Sequence, residues 1–324
     1  MLVRRQFLKL AGASVVTAAT RARADSYPSR SVRVIVPFAP GGPSDVLARV
    51  IMKEMSDHLG QQFYIENIAG AGANIGTAEA AKAAPDGYTV LIVTPSFAIN
   101  PTLYAKAPYN PKEFDPVSIV VNSPTGITVN PAVPAKNMKE LVADIKANPG
   151  KYSYASPGVG TPPHLVGELF RLSLGLDLVH IPFGGGGPAI VSTLGNHTPI
   201  TIGGVTPAIP YVKDGKLRAL ALASTQRLET LPDVPTMAEA GYPGIEGDVW
   251  IAALAPAGTP RDIIDTLNRE IVRITKTPDV RKHLLELGDV PVGNSPEEAR
   301  AFINAEIAKW AKVIRDANIK PEGT

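Results

Sequence analysis

The sequence predicts an α/β protein of two lobes, each a mainly parallel sheet flanked by helices, with a ligand cleft between the lobes. Strand, glycine loop, helix and strand follow one another repeatedly, which is the order of a parallel sheet. A length of 324 residues is sufficient for two such lobes. The hydrophobic fraction of 44% and the charged fraction of 19% are typical of a globular chain with a substantial core.

The first 24 residues predict an export signal peptide. Arg4, Arg5 and Lys9 precede an apolar stretch that is too short to span a bilayer, and Ala22-Arg23-Ala24 suits a signal peptidase. The Arg-Arg-x-Phe-Leu-Lys pattern resembles a twin-arginine signal. The Ser or Thr that commonly precedes the arginines is missing, so ordinary secretory export remains the alternative.

Charge and cysteine content exclude several classes of function. The formal net charge of the whole chain is +2, but residues 25–324 contain 27 cations and 30 acids. A slightly acidic chain without basic runs is a poor nucleic-acid binder. The sequence has no cysteine, which excludes disulfides, thiolate nucleophiles and zinc ribbons.

Short apolar and β-branched runs bounded by Gly, Pro, Asn or Asp predict the strands. They are expected at Val32–Val36, Gln62–Ile68, Thr89–Val93, Val117–Val121, Gly126–Val129, Ser153–Ala155, Leu178–Ile181, Ile200–Ile202, Leu217–Ala223 and Val249–Leu254.

Apolar residues at helical spacing predict the helices between these strands. Ser44 is expected to cap a first helix that reaches Leu59. Ser295 and Glu298 form a capping-box pattern at the start of the last helix. The remaining helices and this last one are expected at Asn74–Ala83, Met138–Ala147, His164–Leu174, Pro188–Leu194, Arg261–Lys276, Val280–Leu287 and Glu297–Asp316.

The order of these elements predicts a discontinuous first lobe. Residues 25–124 and 250–324 are assigned to lobe 1, and residues 125–249 to lobe 2, since the chain is expected to return near Trp250. Two crossings between lobes imply a hinge and a cleft.

Four glycine loops, each between a strand and a helix, are the candidate binding elements. Main-chain N–H groups at a helix start, together with the helix dipole, favour an anion. Glycine also allows a ligand to approach the backbone closely. The loops lie at 40–45, 70–74, 156–161 and 184–188. Loops of this kind gather at the carboxyl ends of strands, so the four together predict a site for a small anion.

Other chemistries fit the sequence less well. The spacing Gly70-x-Gly72-x-x-x-Gly76 exceeds the dinucleotide fingerprint by one residue, and no glycine loop is followed by the Lys-Ser or Lys-Thr of a phosphate loop. Neither Ser44 nor Ser156 lies in a complete nucleophile elbow. We therefore expect no cofactor, metal site or catalytic residue.

The histidines show no metal-ligand spacing. His58, His180, His197 and His283 are expected as surface or packed residues. His164 opens a helix directly after a glycine loop, so it is a candidate donor to a bound carboxylate. Asp45 is expected as a capping residue more than as a ligand contact.

Several blocks in order resemble the Bug-type solute-binding proteins of tripartite tricarboxylate transporters. The matching blocks are Tyr27–Asp45, Glu66–Gly76, Pro85–Thr89, Ser153–Leu165, Lys216–Ala221 and Pro232–Thr236. The resemblance extends from about Tyr27 to Lys320. It implies a two-lobed periplasmic binding protein fold that closes on a small organic carboxylate and delivers it to the membrane subunits of the transporter. A carrier that opens and closes in this way is expected to be a monomer.

The resemblance also implies a ligand shell. Its members, carried over by position, are Phe38, Gly41, Gly42, Asn74, Ser96, Ser156, Gly158, Thr161, His164 and Gly185. Two acids common in the family are replaced here by Ser192 and by a residue near Pro199. Their absence favours an amine-free acid over an amino acid. Two other functions remain open, a ligand-sensing partner of a membrane signalling receptor and an exported hydrolase of small esters acting through Ser156.

Overall fold

The computed structural model describes residues 27–321, so the expected signal peptide at 1–24 lies outside the described residues. The strands are β1 (Val32–Val36), β2 (Phe63–Asn67), β3 (Thr89–Val93), β4 (Phe114–Ser123), β5 (Thr125–Val129), β6 (Ser153–Ser156), β7 (Val179–Pro182), β8 (Ile200–Gly204), β9 (Arg218–Leu222), β10 (Val249–Pro256) and β11 (Val290–Pro291). The helices are α1 (Pro43–Leu59), α2 (Asn74–Ala81), α3 (Ser96–Leu103), α4 (Met138–Ala147), α5 (Pro162–Leu174), α6 (Gly186–Leu194), α7 (Ile209–Lys213), α8 (Arg261–Lys276), α9 (Pro278–Glu286) and α10 (Pro296–Asp316).

The strands form two sheets, one in each lobe. The first has the order β11-β4-β10-β3-β1-β2 and the second has the order β7-β6-β8-β5-β9. β1 pairs in parallel with β2 and β3, and β6 pairs in parallel with β7 and β8. The two-lobed α/β architecture predicted from the sequence is confirmed.

The sheets are mixed, and the expectation of mainly parallel sheets is wrong. β10 is antiparallel to β3 and β4, and β5 is antiparallel to β8 and β9. Pro124 alone separates β4 from β5, so the outgoing chain runs directly from the first sheet into the second. The returning strand β10 then lies beside β4 in the opposite direction, which adds antiparallel pairs to the first sheet, and β5 adds antiparallel pairs to the second.

Both faces of the first sheet are buried. Val32, Val34 and Val36 pack with α1 and α8, whereas Ile35 faces a second cluster of buried side chains. That second cluster continues into the other lobe through Ile127, Tyr154 and residues of α10. The alternation follows the two-residue period of a strand covered on both sides.

Helix α10 contacts both lobes and also the segment around Gly247 and Trp250, where the chain returns to the first sheet. The indole nitrogens of Trp250 and Trp310 both donate to one oxygen of the buried Glu306, at 2.9 and 2.8 Å, and Lys309 pairs with its other oxygen. The helix packs on α3 and β4 and also on α5. A Cβ atom at Gly247 would lie 2.8 Å from the Trp310 ring, so the crossing fits closely against this helix.

The sequence predicted one helix start correctly, predicted another wrongly and missed one helix. The capping box of Ser295 and Glu298 is confirmed. The prediction that Ser44 caps the first helix is wrong, because α1 begins at Pro43 with Gly42 as its N-cap. Helix α3 was not predicted, since Pro101 interrupts its pattern. Pro101 cannot donate to the carbonyl of Phe97, and the Tyr109 hydroxyl donates to that carbonyl instead, at 3.0 Å. Within residues 27–321, no helix is both long and apolar enough to cross a membrane.

Candidate functional site

The first glycine loop connects β1 to α1 and is fixed by Asp45. The Asp45 carboxylate accepts the Gly41 N–H at 2.8 Å and the Asn67 amide at 2.9 Å, and it pairs with Arg49 at 2.9 Å. Asn67 also donates to the carbonyl of Phe38 at 3.0 Å. Burial opposes ionisation of Asp45, but these bonds lower its pKa to about 2. Helix α1 has no side-chain hydrogen bond at its N-cap Gly42, so Asp45 fixes the loop through Gly41 and the expectation of a capping residue is wrong.

The second loop, before α2, is held by Asn100 of α3. The Asn100 side chain donates to the Gly72 carbonyl at 2.7 Å and to the Asn74 side-chain oxygen at 2.9 Å. A Cβ atom at Gly72 would lie 3.0 Å from the Tyr104 hydroxyl, so the end of α3 covers this loop. Asn74 is buried, and its side chain is oriented by Asn100.

Ser96 is the first residue of α3 and follows β3 in the same way. It is half-buried, and the Thr94 hydroxyl donates to its Oγ at 3.3 Å. Three parallel strands of the first sheet are therefore each followed by a loop and a helix start at the same edge.

The third loop, between β6 and α5, has its own internal bonds. The Thr161 hydroxyl donates to the Gly158 carbonyl at 2.7 Å, and the Gly158 N–H donates to Ser156 Oγ at 3.2 Å. The Gly160 N–H donates to Nδ1 of His164 at 3.0 Å. Ser156 is fully buried and His164 is 5% exposed, so both side chains lie beneath the loop.

The fourth loop, between β7 and α6, is more open. Gly185 is the N-cap of α6, and a Cβ atom at any of the positions 184–187 would meet nothing within 4 Å. Ser192, at the position of a missing family acid, is buried further along α6 and its Oγ lies 2.8 Å from Thr198 Oγ1.

The third glycine loop, in lobe 2, approaches Leu103 of lobe 1. A Cβ atom at Gly160 would lie 2.7 Å from Leu103 Cδ2 at the end of α3. The same end of α3 holds the second loop, so α3 lies between a glycine loop of one lobe and a glycine loop of the other. Of the ten residues predicted for the ligand shell, three are buried supports (Asn74, Ser156 and His164), and seven are partly or fully exposed (Phe38, Gly41, Gly42, Ser96, Gly158, Thr161 and Gly185).

Charged side chains beside the loops are paired. Arg49 is bound to Asp45, and Arg171 is bound to Glu168 at 2.7 Å. Within residues 27–321, no group of three or more His, Cys, Asp or Glu is placed to hold a metal ion. The groups that the loops present to a ligand are therefore mainly main-chain groups at helix starts, which suit an anion without a charged partner.

Sequence reasoning missed three residues that shape the site: Asn67, Asn100 and His180. His180 was expected as a surface or packed residue; it is packed, and its Nε2 lies 2.7 Å from Ser156 Oγ.

A large surface cavity of about 440 Å³, lined by Asp115 and Arg300 among others, lies between β4 and α10 and does not include the loops.

Two lobes joined by two crossings, with α3 of the first lobe between a glycine loop of each lobe, define a two-lobed binding protein. A family model described as the tripartite tricarboxylate transporter family receptor matches residues 47–319. Protein BugT of Bordetella pertussis is 39% identical over 320 residues, covering 97% of this chain and 98% of BugT. The chain belongs to this receptor family, whose members are solute-binding proteins, and the Bug-type resemblance is confirmed.

Solved structures agree with this assignment. A protein of R. palustris determined with adipate has a TM-score of 0.76 and 33% identity, covering 91% of this chain and 99% of that one. MatC of Rhodopseudomonas palustris, determined with malate, has a TM-score of 0.71 and 32% identity, covering 89% of this chain and all of MatC. A third match, described as a periplasmic transporter, has a TM-score of 0.75 and 42% identity.

Proposed function

We propose that this protein is a periplasmic receptor that captures a small, amine-free organic carboxylate between its lobes and delivers it to the membrane subunits of a tripartite transporter. The observation that carries the proposal is the position of α3 between glycine loops of the two lobes: Leu103 lies against Gly160 of lobe 2, and Asn100 holds the loop of Gly72 in lobe 1. Membership of the receptor family supports the transport role over that of a signalling partner. We also propose that the chain is exported through residues 1–24 by a twin-arginine signal and acts as a monomer without a cofactor.

The proposed ligand site uses the exposed backbone of the loops. Helix α1 begins with Pro43 and α5 with Pro162 and Pro163, which have no N–H. The N–H groups at these helix starts that have no acceptor within the helix are those of Ser44 and Asp45 in lobe 1 and those of His164, Gly186 and Gly187 in lobe 2. A carboxylate between these helix starts gains donors from both lobes. Asn74, Ser156 and His164 contribute by holding the loops in shape.

The two lobes close on the ligand because the closed state makes more contacts with it than the open state does. We assign residues 25–124 and 250–324 to lobe 1 and residues 125–249 to lobe 2, with the hinge at the two crossings. A ligand that bridges both lobes stabilises the closed state, because only that state makes both sets of contacts.

An amine-free acid is preferred for a physical reason. An ammonium group requires a nearby carboxylate or several acceptors, and Asp45 is already committed to Gly41, Asn67 and Arg49. The relatives solved with adipate and malate were determined with acids of this class.

The hydrolase alternative has one supporting observation, since Ser156 Oγ and His180 Nε2 are 2.7 Å apart like a nucleophile and its base. Ser156 is fully buried, however, and a nucleophile must reach its substrate. The geometry therefore favours a supporting role for this pair, and we propose that the protein is not an enzyme.

Thermal unfolding of residues 25–324 tests the proposal. The panel comprises adipate, malate, citrate, benzoate, aspartate and glutamate, with adipamide as the uncharged control for adipate. A ligand at one hundred times its Kd stabilises by about 2.7 kcal/mol, which raises Tm by a few degrees. We expect a shift with at least one amine-free acid and none with adipamide. No shift with any acid, or a larger shift with aspartate or glutamate, contradicts the proposal.

A double substitution tests the placement of the site. Asn74→Ala with Ser156→Ala removes one loop support from each lobe, so we expect a weaker Kd for the acid that binds best. The chain should still unfold in one cooperative step. An unchanged Kd contradicts the placement.

A further inference from the structure

Two histidines are stacked beneath the loop between β6 and α5. The ring centroids of His164 and His180 are 3.9 Å apart, and the rings are inclined by 15°. The Tyr154 ring also lies close to His180, with its centroid at 4.9 Å. His180 lies opposite Tyr154 in the register of β6 and β7, so the sheet itself places it under the loop.

Each ring is connected to the loop by one nitrogen. Nε2 of His180 lies 2.7 Å from Ser156 Oγ, which in turn accepts the Gly158 N–H at 3.2 Å. Nδ1 of His164 accepts the Gly160 N–H at 3.0 Å. Gly158 and Gly160 both have positive φ, at 144° and 75°, so this backbone has a shape that other residues rarely adopt. The ring pair therefore holds two amides of an unusual loop.

The bonding also fixes the protonation of His164. A ring nitrogen that accepts an N–H bond carries no proton, so neutral His164 has its proton on Nε2. Burial, together with the nearby His180 and Arg171, lowers the pKa of His164 to about 3, and burial lowers that of His180 to about 4.

Of the charged groups around the pair, Arg171 lowers the pKa of His164, whereas Glu168 raises that of His180 and is outweighed by burial. Glu168 of α5 accepts the Tyr154 hydroxyl at 2.9 Å and pairs with Arg171 at 2.7 Å. Its carboxylate therefore already has partners. The pair is suited to act as two neutral rings.

We propose that His180 is a positioning residue of the ligand site. It orients Ser156 through a hydrogen bond and supports His164 through ring stacking, and so holds the third glycine loop ready for the ligand without touching it. The inference deepens the proposed function and rests on it for the effect on binding. The effect on the loop itself is independent of any ligand.

Two substitutions separate the bond from the stacking. His180→Phe keeps an aromatic ring and loses the bond to Ser156. His180→Gln loses the ring but places a polar group near the position of Nε2. His283→Gln is the matched control, because His283 is half-exposed and 3.8 Å from Glu286, away from the loop. Ser156→Ala provides a second route to the same loss if His180→Phe does not fold.

Amide hydrogen exchange of the unliganded protein at pH 7 is the first measurement. We expect the Gly158 amide to exchange at least tenfold faster in His180→Phe or Ser156→Ala than in the wild type, because both lose the bond between Ser156 and His180. His180→Gln loses the stacking on His164, so we expect it to speed exchange of the Gly160 amide by a similar factor and to leave that of Gly158 within threefold. His283→Gln is expected to leave both amides within threefold. Nitrogen-15 NMR of the histidines should show His164 protonated on Nε2 in the wild type. Unchanged Gly158 exchange in His180→Phe, unchanged Gly160 exchange in His180→Gln, or a proton on Nδ1 of His164 overturns the proposal.

The second measurement is the Kd for whichever of adipate, malate, citrate or benzoate binds the wild type best. We expect His180→Phe and His180→Gln each to weaken binding about five- to twentyfold, because each loses one of the two supports of the loop, and His283→Gln to leave the Kd within threefold. An unchanged Kd in either His180 variant overturns the role of the support that it removes. If none of these acids binds the wild type, the proposed function fails, and the exchange experiment still decides the role of His180 in the loop.

Discussion

Substitution of Gly160 tests whether the lobes meet at Leu103 when ligand is bound. Gly160 and Gly150 both have φ of 75°, so alanine at either position is strained by about 1–2 kcal/mol. At Gly150 a Cβ atom meets nothing within 4 Å, whereas at Gly160 it lies 2.7 Å from Leu103 Cδ2. Gly150→Ala is therefore a control with the same backbone strain and no interlobe clash.

The expected difference follows from the cost of overpacking. Forcing an extra methyl group into a filled contact costs about 1–3 kcal/mol. Because the clash exists only when the lobes are together, it should weaken ligand binding. The leucine tip is flexible, so we expect the lower part of that range. Gly160→Ala should raise the Kd about five- to thirtyfold relative to Gly150→Ala.

Isothermal titration calorimetry with the best carboxylate measures both affinities, and urea denaturation measures the shared backbone strain. Leu103→Ala in the Gly160→Ala background removes the clashing methyl groups and should recover most of the lost affinity. Leu103→Ala alone completes the double-mutant cycle. Equal affinities of the two alanine variants, or no recovery on truncating Leu103, would refute the reasoning.

Three other predictions concern the supports of the site and the crossings. Asn100→Asp should weaken binding about tenfold, because it replaces a donor to two oxygen atoms by a carboxylate, whereas exposed Asn304→Asp should leave the calorimetric Kd unchanged. Glu306→Gln should lower the free energy of unfolding by about 2 kcal/mol in urea, because two indole donors lose a charged acceptor; an unchanged midpoint would contradict this. Asp248→Asn should make the free energy of unfolding rise more steeply from pH 4.5 to 6, by about 1.4 kcal/mol per pH unit, and parallel profiles would argue against it.

The sign of the Asp248 effect follows from its surroundings. Burial raises the pKa of Asp248 to about 7, despite the hydroxyl of Ser224, which donates to it at 2.9 Å. Between pH 4.5 and 6 the folded chain therefore holds a proton there that the unfolded chain has released. The folded state loses this advantage as the pH rises. Asp248→Asn removes this fall of the free energy of unfolding with rising pH. The rise with pH that His164 and His180 contribute remains.

Most of the strands and helices were predicted correctly, because the signals for them lie in short segments of the sequence. Pro37 ends β1 where a proline must end a central strand, and the capping box of Ser295 fixes the start of α10. Helix α3 was missed because Pro101 breaks the local pattern, and the bond that compensates for it comes from Tyr109, outside the helix. The pairing of β10 with β3 and β4 depends on where a distant strand returns, which no local pattern records.

The same distinction applies to the candidate site. The glycine loops were found because glycine directly before a helix is a local signal. The residues that hold those loops come from elsewhere in the chain: Asn100 is 28 positions from Gly72, and His180 is 24 positions from Ser156. Such partners become visible only once the strands and helices are packed. The loop sequence therefore predicted a binding surface, while its supports required the structure.

The shared carboxylate of Glu306 places both tryptophans where their fluorescence is sensitive to the arrangement of the lobes. Trp250 and Trp310 are the two tryptophans of the sequence, and both indoles donate to that one oxygen beside the return crossing. Any rotation of one lobe against the other that moves Gly247 past the Trp310 ring changes the surroundings of a fluorophore. If the lobes close on a ligand as proposed, we expect the intrinsic emission of the unlabelled chain to change, and stopped-flow mixing would then give the rate of closure without an attached dye.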